Sequence, residues 1–292
     1  MLSFGLCQLA VSVLCGWVNL WSLGYHGLFA LILLSLWLVG YAGCWDLYGA
    51  WLDNQAYLVF VGNWVEVGNH VLVDFVLIGD LLSLMLLIIM AFGSVAVVSF
   101  VYVEMWEDKE GPNFVILLVA FLAFMGVLAA GGNVMIFYLG WEGIGLVSLF
   151  LINFWSERAR GFKAAYKVYC INKIGDFLLL AGICVLTSTL GCTNFYYLDS
   201  SVWLLSSQWC WVGGGLTLCD VVGGLMLVGG GVKSSQFGFH IWLLEAMEAP
   251  LGASALMHSS TLVVAGVYLI MRLNSVLEAS WLVSAWLCLW GA

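Results

Sequence analysis

The sequence predicts an all-α polytopic membrane protein with about eight or nine transmembrane helices. Hydrophobic residues make up 64% of its 292 residues and charged residues only 9%, whereas about 25% of the residues of a typical soluble domain are charged. The apolar residues form long stretches, each near the roughly 20 residues that a helix needs to cross a bilayer. The net charge is −9 and no basic surface pattern is present, so we expect no nucleic-acid partner.

The apolar stretches define the predicted spans. In chain order they are 1–22, 27–50, 81–103, 113–131, 133–155, 165–189, 215–238 and 253–272, with a ninth beginning near Ala279. The first basic residue is Lys109, so the first stretch has neither the basic region of a signal peptide nor the Arg-rich helix of a transit peptide. We therefore expect a retained span there, and a mitochondrial protein of this kind would be made inside the organelle.

Two segments between the spans predict the topology. Residues 57–79 alternate β-branched and other residues around two Gly-Asn pairs, which predicts a small extramembrane β-hairpin. Residues 156–173 hold five of the eight basic residues, and the positive-inside rule places this loop on the cytoplasmic or matrix side. Counting spans back from this loop puts the hairpin on the opposite side of the membrane.

Four ionisable residues occur where a passive helix bundle would not hold them: Glu142, Asp176, Lys233 and His258. A charge at the bilayer centre costs about 2.5–3.5 kcal/mol on insertion scales and therefore usually has a partner and a function. Asp176 lies three residues after Lys173, so these two can form a supporting ion pair on one helix face. The structural alternatives are a protonated Glu142 in a helix contact, a Lys233 that snorkels, and a His258 that is satisfied in the core.

A helix break separates the lysine from the histidine. Pro250 and Gly252 interrupt the apolar pattern in "EAPLGAS", and irregular backbone at membrane depth is tolerated only beside protein or a water-filled cavity. Discontinuous helices of this kind line ion pathways in transporters. The order of carboxylate, lysine, break and histidine favours a proton relay.

The sequence predicts no cofactor or metal site in this chain. The stretch "VGGGVKSS" is not a phosphate loop, because Val232 occupies the position where that motif needs glycine. The nine cysteines contain no CxxC pair and are predicted to be small buried hydrophobic residues. The four histidines are not paired within one span, which argues against haem.

Three long motifs resemble a known family. "FYLGWEGIGLVSLFLINFW", "ERARGFKAAYKVYCINKIGDF" and "KSSQFGFHIWLLEAMEAPLGASALMHSSTLVVAGVYLIMR" are similar to the antiporter-like subunit 5 family of respiratory complex I, NADH:ubiquinone oxidoreductase. The similarity is collinear over 80–272. It is less specific against the related Mrp-type cation/proton antiporter subunits.

The resemblance implies a role for each candidate residue. The family pairs a glutamate of its fifth helix with a lysine of its seventh, which correspond to Glu142 and Lys233. Its helix-six aspartate corresponds to Asp176, and the histidine past the break in helix eight corresponds to His258. By resemblance, FMN, iron–sulfur clusters and ubiquinone are bound elsewhere in the complex and none is bound in this chain.

The resemblance also implies a domain organisation. Residues 1–50 form two N-terminal helices, 51–80 the hairpin, and 81–112 a third helix with an acidic loop. Residues 113–272 form an antiporter-like five-helix repeat, which comprises spans four to eight and has a broken helix eight. Residues 273–292 form the start of a further helix or a contact with a partner chain. Three positions depart from the family motif, namely Leu244, Glu245 and Gly252. Gly252 replaces a proline of the break.

Members of this family are about twice as long. We therefore expect the N-terminal half of a split subunit, with one half-channel, whose second half is a separate chain docking near spans eight and nine; a partial sequence is the alternative. The other expected partners are complex I membrane-arm subunits and membrane lipids, with cardiolipin as a candidate. The expected location is the mitochondrial inner membrane, or alternatively a bacterial plasma membrane.

Three functions are compatible with these observations. The first is a proton-translocating membrane-arm subunit of the oxidoreductase, which contributes a half-channel with a Glu/Lys pair and a His relay. The second is an Mrp-type Na⁺/H⁺ antiporter subunit fragment, which uses the same charged residues without NADH. The third is a structural scaffold that no longer pumps, and the three intact candidate residues Glu142, Lys233 and His258 argue against it.

Overall fold

A computed structural model describes residues 20–53, 56–67, 71–191, 193–207 and 217–291. The predicted span 1–22 lies outside this range except for its last three residues. The elements in chain order are α1 Leu20–Asp53, β1 Tyr57–Val67, β2 Val71–Gly79, α2 Leu81–Glu104, α3 Gly111–Ala130, α4 Val134–Ile152, α5 Ala159–Leu190, α6 Phe195–Ser207, α7 Leu218–Lys233, α8 Ile241–Glu245, α9 Leu251–Leu256, a π-helical turn Met257–Thr261, α10 Leu262–Arg272, α11 Asn274–Ala279 and α12 Trp281–Gly291.

The all-helical membrane fold is confirmed. Within the described residues, six helical segments are long and apolar enough to cross a membrane. They are Ile32–Trp51, Leu81–Glu104, Gly111–Ala130, Val134–Ile152, Ala159–Leu190 and the interrupted segment Leu251–Arg272. The predicted seventh and ninth spans are present as shorter helices, α7 and α12.

The predicted hairpin is confirmed and is anchored to the bundle. Strands β1 and β2 pair antiparallel, from Tyr57 opposite Gly79 to Val67 opposite Val71. The backbone N–H of Gly132, in the turn between α3 and α4, donates to the carbonyl of Val76 at 2.9 Å. The hairpin therefore marks one end of the bundle, and we call it the hairpin end.

The other end of the bundle carries the basic segment, whose predicted loop conformation is wrong. Helix α5 begins at Ala159, six residues before the predicted span, so Arg160 and Lys163 lie on the helix instead of before it. Lysine, arginine and alanine are good helix formers, and a helix continues past the bilayer surface where its side chains reach water. The apolar pattern records only the part of the helix inside the membrane. We call this end the basic end.

Helix α6 was not predicted. It has 13 residues and contains serine and aspartate, so it lacks the length and uniform hydropathy of a span. It lies at the hairpin end, where the N–H of Phe195 donates to the carbonyl of Gly132 at 3.0 Å. The preceding helix α5 ends at Leu190. The next residue, Gly191, has a φ of 64°, the left-handed conformation typical of glycine after a helix.

Helix α7 ends at Lys233, five residues before the predicted boundary. The chain then passes through left-handed backbone at Ser235, with a φ of 57°, and at Gly238, with a φ of 95°. The predicted span continues to residue 238 through the polar residues Ser234, Ser235 and Gln236, so its end was placed too late. The interruption after Lys233 adds to the break that was predicted near Pro250.

The break near Pro250 is confirmed, and the packing of α9 explains why residue 252 is a glycine. The Glu104 carboxylate, at the end of α2, accepts hydrogen bonds of 3.2 Å from the backbone N–H groups of Leu251 and Gly252. A Cβ added at Gly252 would lie 2.1 Å from a methyl carbon of Val101. Glycine therefore lets α9 start against α2, and Glu104 caps the new helix in the manner of an N-terminal carboxylate.

Candidate functional site

Lys233 is placed in the bundle centre by close packing between α5 and α7. A Cβ added at Gly175 would lie 2.7 Å from Cβ of Val232, so these helices approach at small residues. The Lys233 side chain is fully buried, and its Nζ donates to the carbonyl of Trp141 at 2.5 Å. The same ammonium lies 4.3 Å from the centre of the Trp141 ring, which is a cation–π distance.

Asp176 is the anionic partner of Lys233. The two side chains approach to 3.7 Å between Asp176 Oδ1 and Lys233 Nζ, and both are buried. The indole N–H of Trp141 donates to the same Oδ1 at 2.7 Å. The other oxygen, Oδ2, is buried without a hydrogen-bond partner among the described residues.

Glu142 is held by two different groups. The hydroxyl of Tyr138, one helical turn earlier on α4, donates to Glu142 Oε1 at 2.6 Å. The ammonium of Lys173 forms an ion pair with Oε2. Each carboxylate oxygen of Glu142 therefore has its own donor.

The expected direct pairing of Glu142 with Lys233 is wrong. Among the described residues, the ion-pair partner of Glu142 is Lys173, and the partners of Asp176 are Lys233 and Lys173. Lys173 precedes Asp176 by three residues on α5, so it lies on the same helix face and reaches from Asp176 to Glu142. The predicted Lys173–Asp176 pair is present at 3.8 Å, but its stronger contact is with Glu142.

Together these residues form a line of alternating charge, which we call the relay: Glu142, Lys173, Asp176 and Lys233. Two carboxylates and two ammonium groups leave it neutral when all four are ionised. Such pairs are costly to desolvate, and removing one charge leaves its neighbour uncompensated. A proton added at one end of the relay therefore changes the free energy of the charge at the other end.

His258 does not contact the relay directly. It lies in the π-helical turn, and both its ring nitrogens are buried without a hydrogen-bond partner in the described part of the chain. Its ring is 6.4 Å from that of Trp242, centre to centre. The indole N–H of Trp242 donates to the carbonyl of Val232 at 2.7 Å, beside Lys233. The predicted role of His258 in proton transfer stays a prediction.

Two residues of the site, Tyr138 and Trp141, were not predicted. The sequence nevertheless contains a signal for each of them. Tyr138 precedes Glu142 by four residues, the spacing that brings side chains together on a helix. Trp141 is adjacent to Glu142 in an apolar span, where a buried indole N–H needs an acceptor.

An apolar cleft reaches Glu142 from the side of the bundle. It has a volume of about 560 Å³, and its walls include Trp64, Phe124 and Leu146 as well as Tyr138 and Glu142. The Glu142 side chain is 23% exposed, whereas that of Lys233, at the other end of the relay, is 0% exposed. The relay therefore has one end that is open and one that is closed.

No group of three or more His, Cys, Asp or Glu side chains in the described residues is arranged to hold a metal ion. The described cysteines are free thiols, and four of them are exposed on the bundle surface. These are Cys44, Cys170, Cys184 and Cys288, whereas Cys219 is buried. The remaining cysteines lie outside the described residues.

The chain is similar to known proteins over most of its length. A family model described as NADH:quinone oxidoreductase/Mrp antiporter, TM matches residues 131–292. NADH-ubiquinone oxidoreductase chain 5 of Paramecium tetraurelia is 33% identical over 280 residues, which cover 96% of this chain and 49% of that protein. The corresponding chain 5 of Arabidopsis thaliana is 38% identical over 69% of this chain and 30% of its own length.

A bacterial relative and a solved structure extend the comparison. NADH-quinone oxidoreductase subunit L of Rickettsia felis is 35% identical over 80% of this chain and 36% of its own length. A chain of the membrane-bound sulfane sulfur reductase (MBS), an archaeal respiratory membrane complex, has the same fold, with a TM-score of 0.78 at 16% identity. The match covers 98% of this chain and 55% of that chain. The chain spans about half the length, or less, of the proteins it matches.

Proposed function

This chain belongs to the NADH:quinone oxidoreductase/Mrp antiporter transmembrane family, and we propose that it is a proton-translocating membrane-arm subunit of NADH:ubiquinone oxidoreductase. The membership confirms the resemblance expected from the three sequence motifs. The observation that carries the proposal is the buried relay of alternating charge, which joins an accessible carboxylate to a fully buried lysine. A passive bundle gains nothing from four ionisable groups at this depth.

The proposed step begins at Glu142. When a proton neutralises Glu142, Lys173 loses its partner and is attracted more strongly towards Asp176. Asp176 then stabilises two ammonium groups with one negative charge. The electrostatic attraction between Asp176 and Lys233 therefore weakens. A buried ammonium that is less well neutralised by a carboxylate releases its proton.

The energy for this step comes from outside the chain. Moving one charge against the membrane potential costs about 2.3 kcal/mol per 100 mV, so a relay of this kind requires a coupled reaction. We propose that NADH oxidation elsewhere in the complex supplies that energy. The FMN, iron–sulfur clusters and ubiquinone of that reaction are expected in other subunits.

The partners follow from this assignment. We propose contacts with other membrane-arm subunits and membrane lipids, cardiolipin among them, in a mitochondrial inner membrane; a bacterial plasma membrane is the alternative location. The separate chain that would carry the second half of the subunit stays a prediction. Its support is that the relatives matched here extend well beyond the matched region.

The test is to purify the complex that contains this chain and identify its subunits by mass spectrometry. Flavin and iron–sulfur proteins are expected, together with NADH-driven acidification of reconstituted vesicles that does not require Na⁺. Recovery without redox subunits, with Na⁺-dependent proton exchange, would instead support the Mrp-type antiporter. Recovery of an intact oxidoreductase whose proton yield is unchanged by variants of the relay would support a structural scaffold.

A further inference from the structure

Gly145, like Trp141, lies on the face of α4 next to the buried part of the relay. It lies one helical turn after Trp141. A Cβ added at Gly145 would lie 3.7 Å from Lys233 Nζ and 3.8 Å from Asp176 Oδ2, and these are the two contacts it would make within 4 Å. The missing side chain therefore leaves space beside two buried polar atoms.

This glycine is not required by helix packing. A Cβ added at Gly140 would lie 2.6 Å from the backbone nitrogen of Leu128, and one at Gly143 would lie 2.2 Å from the ring of Phe124. Those two positions exclude any larger residue. At Gly145 the distances of 3.7 and 3.8 Å are ordinary van der Waals contacts, so alanine would fit without displacing a neighbour.

The space adjoins the unsatisfied atom of the relay. Asp176 is 1% exposed, and its Oδ2 has no hydrogen-bond partner among the described residues. Buried carboxylate oxygens are normally hydrogen-bonded, and one without a donor is destabilising. The site therefore favours a small molecule that can donate a hydrogen bond.

The ion pairs around Asp176 are too long for direct proton transfer. Lys173 Nζ is 3.8 Å from Oδ2, and Lys233 Nζ is 3.7 Å from Oδ1. A charge-assisted hydrogen bond spans about 2.7–2.9 Å, and proton transfer needs about 2.6–3.2 Å between heavy atoms or one intervening water. Polar contacts beyond about 3.5 Å are commonly bridged by water.

We propose that Gly145 keeps open a site for one water molecule, which donates a hydrogen bond to Asp176 Oδ2 and accepts one from Lys233. This inference rests on the proposed function and assigns Gly145 as a residue that positions the bridge between the buried lysine and the rest of the relay. After Lys233 has released its proton, the water gives a proton to the neutral amine as it takes one from protonated Asp176. Lys233 becomes cationic, Asp176 becomes anionic, and charge and atoms balance.

The experiment compares three substitutions in the assembled complex, reconstituted in vesicles. Gly145→Ala fills the space with a methyl group, and Gly145→Ser fills it with a hydroxyl that can replace the water. The matched control is Gly224→Ala on α7, where a Cβ would meet nothing within 4 Å. Complex content, NADH oxidation and protons translocated per NADH are measured for each.

We expect Gly145→Ala to lower proton translocation by about tenfold or more, since one positioned proton-transfer group contributes about 10²–10⁴-fold. We expect Gly145→Ser to retain most of the activity, and Gly224→Ala to match the wild type. Wild-type translocation in Gly145→Ala would overturn the proposal. Equal losses in the alanine and serine variants would also overturn it, because they would indicate a packing effect.

Two further measurements keep the outcome decisive. If the Gly145 variants do not assemble, a high-resolution density map of the wild-type complex decides: a water peak within hydrogen-bond distance of Asp176 Oδ2 supports the site, and its absence beside other well-resolved waters overturns it. Lys233→Met, measured in parallel, separates this inference from the proposed function. If Lys233→Met also pumps normally, the proposed function fails as well; if it does not, a negative result at Gly145 counts against the water site alone.

Discussion

Among the described residues, two arrangements of opposite charges lie buried or partly buried, and they are built differently. At the hairpin end, Arg272 of α10 binds Asp80 at the start of α2 through two hydrogen bonds of 2.5 and 2.9 Å. Each side chain also has a further partner: Arg272 Nε donates to the Tyr268 hydroxyl at 2.8 Å, and Asp80 accepts from the N–H of Ser83 at 2.9 Å. We call this pair the clamp.

The relay has the opposite geometry. The distances from Asp176 to its two lysines are 3.7 and 3.8 Å, and one of its oxygens has no donor among the described residues. A bidentate arginine–carboxylate pair is strong and geometrically fixed, and arginine does not give up its proton in proteins. Lysine loses its proton readily when it is buried. The clamp is suited to hold helices together, and the relay is suited to exchange protons.

The largest expected effect is that of Lys233→Met. The substitution keeps the length of the side chain and removes the only group of α7 that contacts Asp176 through charge. We expect proton translocation to fall by about 100-fold or more, as for the loss of a proton-transfer group. The assay is NADH-driven acidification of vesicles that contain the purified complex.

The matched control for that variant is Lys167→Met. Lys167 pairs with Glu245 at 2.6 Å on the surface of the basic end, and its side chain is 56% exposed. An exposed pair contributes at most about 1 kcal/mol, so translocation should be unchanged. If Lys233→Met and Lys167→Met lost equal amounts of proton translocation, the burial of Lys233 would have no functional role.

A smaller effect is expected for Trp141→Phe. The change removes the indole N–H that donates to Asp176 but keeps an aromatic ring near Lys233 and the backbone carbonyl that accepts from it. A hydrogen bond to a charged group contributes about 1.5–3 kcal/mol, so we expect translocation to fall by about tenfold. The Km for NADH should not change.

Trp155→Phe is the control for this indole. Trp155 lies at the basic end, where its N–H donates to the Asp108 carboxylate at 3.4 Å. That contact is long and exposed, so the variant should translocate protons like the wild type. A normal proton yield in Trp141→Phe would show that the relay does not depend on the orientation of Asp176.

The smallest effect on translocation is expected for Asp80→Asn, which should act on stability. Burial alone would raise the pKa of the Asp80 carboxyl, but the guanidinium of Arg272 and the hydrogen bonds from Ser83 and Arg272 hold this pKa below its ordinary value. The folded protein therefore gains stability from the clamp above the ordinary aspartate pKa of about 3.9. It loses that stability as the pH falls through the lowered pKa.

The measurement is the unfolding temperature of the detergent-purified protein, followed by tryptophan fluorescence as a function of pH. At neutral pH, Asp80→Asn should lose roughly 3 kcal/mol of stability, because it leaves a buried arginine without its counter-charge. The difference from the wild type should shrink as the pH falls below about 4. A difference that does not depend on pH would show that the clamp is not ionic.

Much of this arrangement was predictable from the sequence. The spans follow from hydropathy, the hairpin from its alternation of residue types, and the candidate charges from their depth in apolar stretches. Glu142, Asp176 and Lys233 are predicted residues that the fold brings together, as is the supporting Lys173. The order of these residues along the relay was not predictable, because it depends on which faces of α4, α5 and α7 meet.

The remaining errors have physical causes. The end of α7 at Lys233 is set by backbone conformations at Ser235 and Gly238, which hydropathy does not report. The cap that Glu104 provides for α9 joins residues 147 positions apart. Local patterns do not contain contacts of that range, so the role of Glu104 was visible only in the folded structure.

The most direct test compares the same isosteric change in the two arrangements, Asp176→Asn in the relay and Asp80→Asn in the clamp. Protons translocated per NADH are measured for equal amounts of assembled complex. We predict that Asp176→Asn loses translocation in the complex that assembles, because Lys233 can become neutral when its counter-charge is removed. Asp80→Asn leaves an arginine that stays charged, so it lowers thermal stability but keeps the wild-type proton yield. Normal translocation in Asp176→Asn, or an equal loss of proton yield in both variants, would contradict the distinction between relay and clamp.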